Sequence, residues 1–125
     1  MAKAAPTKIK WLPDVEPHDY PAARSYLSLL ANEAAVSKIM KKLKAAPIVQ
    51  YKSKDIFRAS RLSLLGISNR EVTRDRLKIE AGIRLSPLLL VRDRKNGKVV
   101  IADGYHRLCA VYKLDENALI SCKIV

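Results

Sequence analysis

Several features that mark other protein classes are scarce or absent in this sequence. Only two of its 125 residues are cysteine, Cys109 and Cys122, and they form no Cys-x-x-Cys unit, so neither a disulfide framework nor a complete zinc site is expected. No signal peptide is recognisable, and no apolar run approaches the roughly 20 residues that a membrane span requires. These absences predict a cytoplasmic protein without a membrane partner, with both cysteines reduced and placed in the core.

Acidic residues are scarce relative to basic ones. The chain has 12 Asp and Glu against 24 Lys and Arg, which makes the net charge +12 at pH 7. Such an excess favours a polyanionic partner such as nucleic acid or an acidic protein, although it also increases solubility. We find no carboxylate cluster of the nuclease type and no helix-turn-helix. Because the basic residues are spread along the chain, any nucleic acid is expected to bind through a basic surface.

The clearest functional signal is a strand-to-helix joint near the end of the sequence. Residues 98–102 are typical of a buried strand, and apolar residues recur at helical spacing from Leu108 onward. Gly104 joins the two, and His106 and Arg107 fall in the first turn of the helix. A helix N-terminus offers unpaired N–H groups and a positive dipole to phosphate, and glycine lets an oxyanion approach the backbone. This joint therefore predicts an anion site.

Asp103 comes immediately before that glycine, at the end of the strand. A carboxylate there could orient a ligand hydroxyl or a magnesium ion, which makes Asp103 and His106 the catalytic candidates if the site is an enzyme's. The alternative is a plain helix cap, because Asp is common at the N-cap position.

Residues 48–125 resemble the ParB/sulfiredoxin superfamily. ParB-type nucleotide-binding domains carry a Gly-Glu-Arg-Arg-x-x-Ala-like box at the start of a helix, sulfiredoxins carry Gly-Cys-His-Arg, and the free amino-acid kinases of this fold carry Asp-Gly-His-His-Arg. Here residues 103–107 read Asp-Gly-Tyr-His-Arg and Ala110 follows. The resemblance implies a compact α+β domain with a small mixed sheet. It also implies that Gly104, Tyr105, His106 and Arg107 bind the phosphates of an NTP or NDP, with Mg²⁺ as a candidate second ligand.

The chain also departs from these families. Tyr105 replaces the sulfiredoxin cysteine, so reduction of a sulfinic acid is not expected, because a phenol cannot form the thiol-derived intermediate. The acidic residue that follows glycine in ParB proteins is missing. Residues 55–60 occupy the place of the first ParB box, which makes Arg58 and Ser60 candidate nucleotide contacts.

The N-terminal part of the sequence differs in character from the rest. Residues 1–21 contain four prolines and predict an extended arm, whose Trp11 docks on the domain or on a neighbouring subunit. Residues 22–46 predict one amphipathic helix, continuous to about Lys44, packed on or beside the domain. Its apolar stripe needs a partner, so a homodimer is a candidate assembly.

The remaining elements, over residues 47–125, predict the order strand, helix, hairpin, helix, strand, an α+β arrangement. The signals are a strand at 48–51, a Ser68-x-x-Glu71 capping box with a helix to Gly82, an Asn96-Gly97 turn between two strands, and a last strand at 120–125.

Three functional hypotheses follow from these features. The first is a nucleotide-phosphate-binding domain that uses the joint at 103–107. The second is a phosphotransferase acting on a small hydroxyl-bearing substrate, which would need a carboxylate base such as Asp55 or Asp103. The third is a DNA-binding or DNA-partitioning accessory protein.

Overall fold

The computed structural model describes residues 8–64 and 69–125. In these residues five helices and four strands follow one another as α1 Asp19–Leu27, α2 Glu33–Ala45, β1 Val49–Lys52, α3 Ser53–Ser60, α4 Arg70–Glu80, β2 Leu88–Asp93, β3 Lys98–Asp103, α5 Tyr105–Leu114 and β4 Leu119–Ile124.

The strands form a four-stranded mixed sheet in the order β1-β4-β2-β3. β1 pairs with β4 and β2 with β3 in antiparallel fashion, whereas β2 and β4 are parallel. The α+β class and the small mixed sheet predicted from the sequence are confirmed. β2 and β3 form the expected hairpin, whose turn contains Gly97 with φ +63°.

Helices cover both faces of the sheet. On one face, α3, α4 and α5 bury a core that includes Val72, Leu90, Leu108 and Ile120. On the other face, α1 and α2 pack on alternate strand residues such as Leu89. Because successive strand residues point to opposite faces, β2 contributes to both cores at once. The first core places the start of α5 beside α4, and α1 lies against β3 from the other side.

The prediction of one helix over residues 22–44 is wrong. The segment forms two helices, α1 and α2, and α1 begins at Asp19, inside the predicted arm. After α1, the Ser28 hydroxyl donates hydrogen bonds to the carbonyls of Arg24 and Ser25, and Asn32 caps α2 by accepting from the Ala35 N–H. Side chains that bond the backbone locally favour helix ends over helix interiors.

The break changes which residues form the apolar stripe. Leu29, which a continuous helix would place on it, is 82% exposed, while Leu27, Val36 and Leu43 are buried against the sheet. Because the chain breaks between them, α1 and α2 can each pack their apolar residues against the same face of the sheet. The stripe therefore has its partner within the same chain.

The N-terminal segment is attached along the domain. Trp11 forms a parallel bridge with Leu85 and packs against the first core, so of the two predicted docking places the domain itself is the observed one. Cys109 and Cys122 are both buried, as predicted, and neither forms a disulfide in the described part of the chain. Burial raises the pKa of the Cys122 thiol to about 12, with Arg92 acting weakly in the opposite direction.

Ser68, the first residue of the predicted capping box, lies outside the described residues. The described N-cap of α4 is Asn69, whose side chain accepts from the N–H groups of Glu71 and Val72. No helix in the described ranges is long and apolar enough to cross a membrane.

Candidate functional site

The joint between β3 and α5 opens on a polar cavity of about 350 Å³. Four of the predicted site residues line it together: Asp103, Gly104, His106 and Arg107. The other walls come from the segment before α1 and its first residue, from one side of α4, and from the segment before β2. We call this cavity the α5 cleft; its further lining residues are Glu16, His18, Asp19, Glu71, Arg74, Asp75, Lys78, Arg84, Leu85 and Ser86.

Gly104 is the N-cap of α5 and adopts the left-handed conformation, with φ +106°. No side chain caps this helix, so Asp103 does not act as the N-cap that the alternative interpretation predicted. The N–H of Leu108 donates to the Gly104 carbonyl and closes the first turn. The N–H groups ahead of Leu108 have no partner within the helix, as at every helix N-terminus. The positive end of α5 therefore faces the cleft.

Arg107 is held between two carboxylates. Its Nη1 lies 3.1 Å from Asp19 Oδ2 and its Nη2 lies 2.8 Å from Asp103 Oδ2, and the side chain is only 13% exposed. The Ser86 hydroxyl also donates to Asp19 Oδ2, and it accepts from the N–H of Glu16. This arrangement ties α1, β3 and α5 together at the cleft and directs the guanidinium at protein groups.

The pKa of Asp103 is raised above its ordinary value. Burial is the largest cause, and the neighbouring Asp19 carboxylate adds to it, while the positive charge of Arg107 opposes the shift. Two carboxylates that share one guanidinium carry a net negative charge, so this pair repels an approaching phosphate unless other cations compensate.

Cations for that purpose come from α4 and from the segment before β2. Lys78 and Arg84 line the cleft on exposed positions, and neither forms a salt bridge in the described part of the chain. Arg74 lies 3.1 Å from Glu71 and is partly neutralised by it. Together with His106 at the start of α5, Lys78 and Arg84 are the groups in the cleft best placed to meet an anion.

Asp75 lies in the same cleft, half-buried, and its pKa is raised. Burial is the main cause, and Glu71 adds to it, whereas Arg107, Lys78 and His106 lower the pKa by a smaller amount. When the pKa of a carboxyl group is higher in the folded protein than in the unfolded chain, its ionisation destabilises the fold. The protein then loses stability as pH rises from the unfolded-state pKa to the folded-state pKa.

We therefore predict that Asp75→Asn removes part of the pH dependence of stability. As pH rises above about 4, the ordinary pKa of an Asp carboxyl group, the variant should lose less free energy of unfolding than the original protein, because its side chain cannot ionise. Urea denaturation at several pH values measures this difference. Glu33→Gln, which removes an exposed carboxylate from α2, is the matched control and should leave the pH profile unchanged. A parallel profile for Asp75→Asn and the original protein would contradict the prediction.

The structure does not bring the other predicted residues to the cleft. The Tyr105 ring packs against the core on the side of α3, α4 and α5. Arg58 is exposed and lies 3.4 Å from Asp55, and both line a different cavity. Ser60 is buried, and its hydroxyl donates to the Phe57 carbonyl and accepts from the Leu62 N–H. Asp55 therefore lies too far from the α5 cleft to act there as a catalytic base.

The sequence analysis missed most of the cleft wall. Glu71, Arg74, Asp75 and Lys78 have the spacing i, i+3, i+4, i+7, which places them on one helix face, and that periodicity was available as a signal. Asp19 has no local signal, because it is 88 residues away from Arg107 along the chain.

The described residues contain no ready-made cluster of metal ligands. Among them no group of three or more His, Cys, Asp or Glu side chains could hold a metal. Asp19 and Asp103, the two carboxylates nearest the start of α5, are directed at Arg107.

The chain matches no family model, no curated protein and no solved structure.

Proposed function

We propose that the protein binds the phosphate groups of a nucleotide in the α5 cleft. The observation that carries the proposal is the uncapped N-terminus of α5 facing a cavity that also contains Lys78 and Arg84. Backbone N–H groups and the helix dipole bind the oxyanion, the Lys78 and Arg84 side chains balance its charge, and His106 offers a further hydrogen bond. The resemblance of residues 103–107 to a phosphate-binding box supports the same assignment.

In this proposal Arg107 is a positioning residue. Its two salt bridges hold Asp103 at the end of β3 and Asp19 at the start of α1, so the first turn of α5 stays in place. The phosphate charge is then met by side chains that carry no salt bridge in the described structure, which costs less than detaching a buried guanidinium from two carboxylates.

A titration of purified protein with ATP, ADP, AMP and pyrophosphate, with and without Mg²⁺, tests the proposal. We expect a rise in melting temperature and a measurable heat of binding, because a ligand of the native state stabilises it by mass action. The double variant Lys78→Ala/Arg84→Ala should lose about tenfold or more in affinity, roughly 1.4 kcal/mol.

The matched control is Lys41→Ala/Lys42→Ala, which removes the same charge from exposed positions of α2 across the sheet. It should bind as the original protein does. If none of the nucleotides binds, or if both double variants lose affinity equally, the cleft is not a phosphate site.

A phosphotransferase is the second candidate, and Asp75 favours it. A half-buried carboxyl group with a raised pKa beside the cationic wall has the properties of a general base. Following the same nucleotide titrations by phosphorus NMR in the presence of small hydroxyl compounds separates the two candidates. Nucleotide that stays intact indicates a binding module, and transfer of a phosphoryl group indicates an enzyme.

A further inference from the structure

The excess positive charge of the chain is concentrated away from the α5 cleft. The cleft is lined by five carboxylates and four Lys or Arg side chains. A second surface, formed by α3, the end of β1 and the β2–β3 turn, has eight Lys or Arg against three carboxylates. We call it the α3 surface; its basic residues are Lys52, Lys54, Arg58, Arg61, Arg92, Arg94, Lys95 and Lys98.

Contacts along α3 make this surface continuous. At one end a cavity of about 530 Å³ is lined by three basic residues, Lys52, Lys54 and Arg58, and by two carboxylates, Asp55 and Glu116. At the other end Ala59 borders a shallower cavity of about 260 Å³ together with basic residues of the β2–β3 hairpin. Arg61, directly after α3, donates to the Gly97 carbonyl at 3.3 Å and joins the helix to the hairpin turn.

The three carboxylates of the α3 surface, Asp55, Asp93 and Glu116, leave five of its eight positive charges unbalanced. Asp55 forms an exposed pair with Arg58, a type that contributes little in water. Hydrogen bonds from Asn96 lower the pKa of Asp93, so this carboxylate is ionised, but it is directed at the hairpin turn. The surface therefore presents a positive track to solvent.

The larger cavity also contains an aromatic wall. The rings of Phe57 and Tyr112 lie with centroids 4.9 Å apart and an interplanar angle of 38°, and both are partly exposed. The cavity keeps a net positive charge, with three cations against two carboxylates. A partly exposed ring in such a cavity suits an unpaired base, which stacks on the ring while its phosphates meet the cations. A duplex offers only its phosphates and groove edges to such a wall, because its bases are stacked on one another.

We infer that the α3 surface binds single-stranded nucleic acid, with phosphates along α3 and the hairpin turn and a base stacked on Tyr112. This site is distinct from the α5 cleft. The six residues of β3 separate the hairpin turn from Asp103, a distance of about 17 Å at the usual strand rise. Its function does not depend on nucleotide binding in the cleft.

Fluorescence anisotropy with labelled oligo-dT and oligo-rU, titrated at low and at physiological salt, tests the inference. Arg58→Gln/Arg94→Gln should weaken binding about tenfold or more. It should also reduce the slope of log affinity against log salt by about 1.4, as expected for two lost contacts to a single strand. Lys41→Gln/Lys42→Gln on α2 is the matched control and should change affinity less than about twofold, because exposed charges beyond a Debye length from the site are largely screened.

The stacking contact is tested by crosslinking the original protein and a Tyr112→Leu variant. Ultraviolet crosslinking to an oligonucleotide containing iodouracil should place the modified peptide at Tyr112, and Tyr112→Leu should abolish that crosslink. Three results would overturn the inference: equal affinity for a duplex of the same length, equally strong competition by polyglutamate, and equal loss of binding in the α2 control. Absence of binding at low salt would also overturn it.

Discussion

Arg107→Ala is expected to destabilise the protein by about 3–5 kcal/mol, the usual cost of removing one partner from a buried ion pair. The variant leaves Asp19 and Asp103 without the guanidinium that contacts both, and these side chains are only 8% and 21% exposed. Urea denaturation measures the loss. Arg107→Lys should recover only part of it, because one ammonium cannot reproduce the planar fork that reaches two carboxylates with separate nitrogens.

The cause of that loss can be separated from lost packing. If unpaired carboxylates are responsible, Arg107→Met combined with Asp19→Asn and Asp103→Asn should be more stable than Arg107→Met alone. Should the triple variant be less stable than the single one, the two salt bridges would not be the reason for the effect.

Gly104→Ala is expected to have the second-largest effect. A Cβ at this position would lie 2.6 Å from Leu88 Cγ and 2.9 Å from Arg107 Nη2, and φ is +106°. The left-handed backbone costs a residue with a Cβ about 1–2 kcal/mol. Displacing the fully buried Leu88 adds about 1–3 kcal/mol, the range for an overpacked core.

Gly97→Ala is the matched control for Gly104→Ala. Its φ is +63°, and the nearest atom to the added Cβ is Arg61 Nη2 at 3.8 Å, which is ordinary contact. It should therefore show only the backbone cost in the same denaturation experiment. Equal losses in the two variants would contradict the role of Leu88.

The glycine at the joint illustrates how sequence and structure differ as evidence. The sequence predicted that Gly104 leaves room for an oxyanion at the backbone. In the fold the space a Cβ would occupy is already bounded by Leu88 and Arg107. Glycine is required there by packing and by positive φ, whether or not a phosphate binds beside it.

Over residues 47–125, local pattern predicted the four strands, α4 and α5, but it missed α3, a short helix between β1 and α4. The apolar runs of β2 and β3, the alternation in β4 and the helical spacing after Leu108 all depend on residues a few positions apart. Such short-range patterns can be recognised from the sequence directly. The same reasoning failed at Ser28–Asn32, where the apolar spacing continues into a helix break. Whether a helix continues there depends on what each half packs against, and that is information from the distant sheet.

By itself, the sequence determined the α+β class, the hairpin, the buried cysteines and the strand-to-helix joint at 103–107. Each of these depends on neighbouring residues and on the burial of apolar ones. Only the tertiary structure decided which charges meet. It directs Arg107 at Asp19 and Asp103, places Lys78 and Arg84 in the cleft, and gathers basic residues from α3 and the hairpin on another surface. Coulomb interactions act over a few ångströms of space, whatever the separation of the charges along the chain.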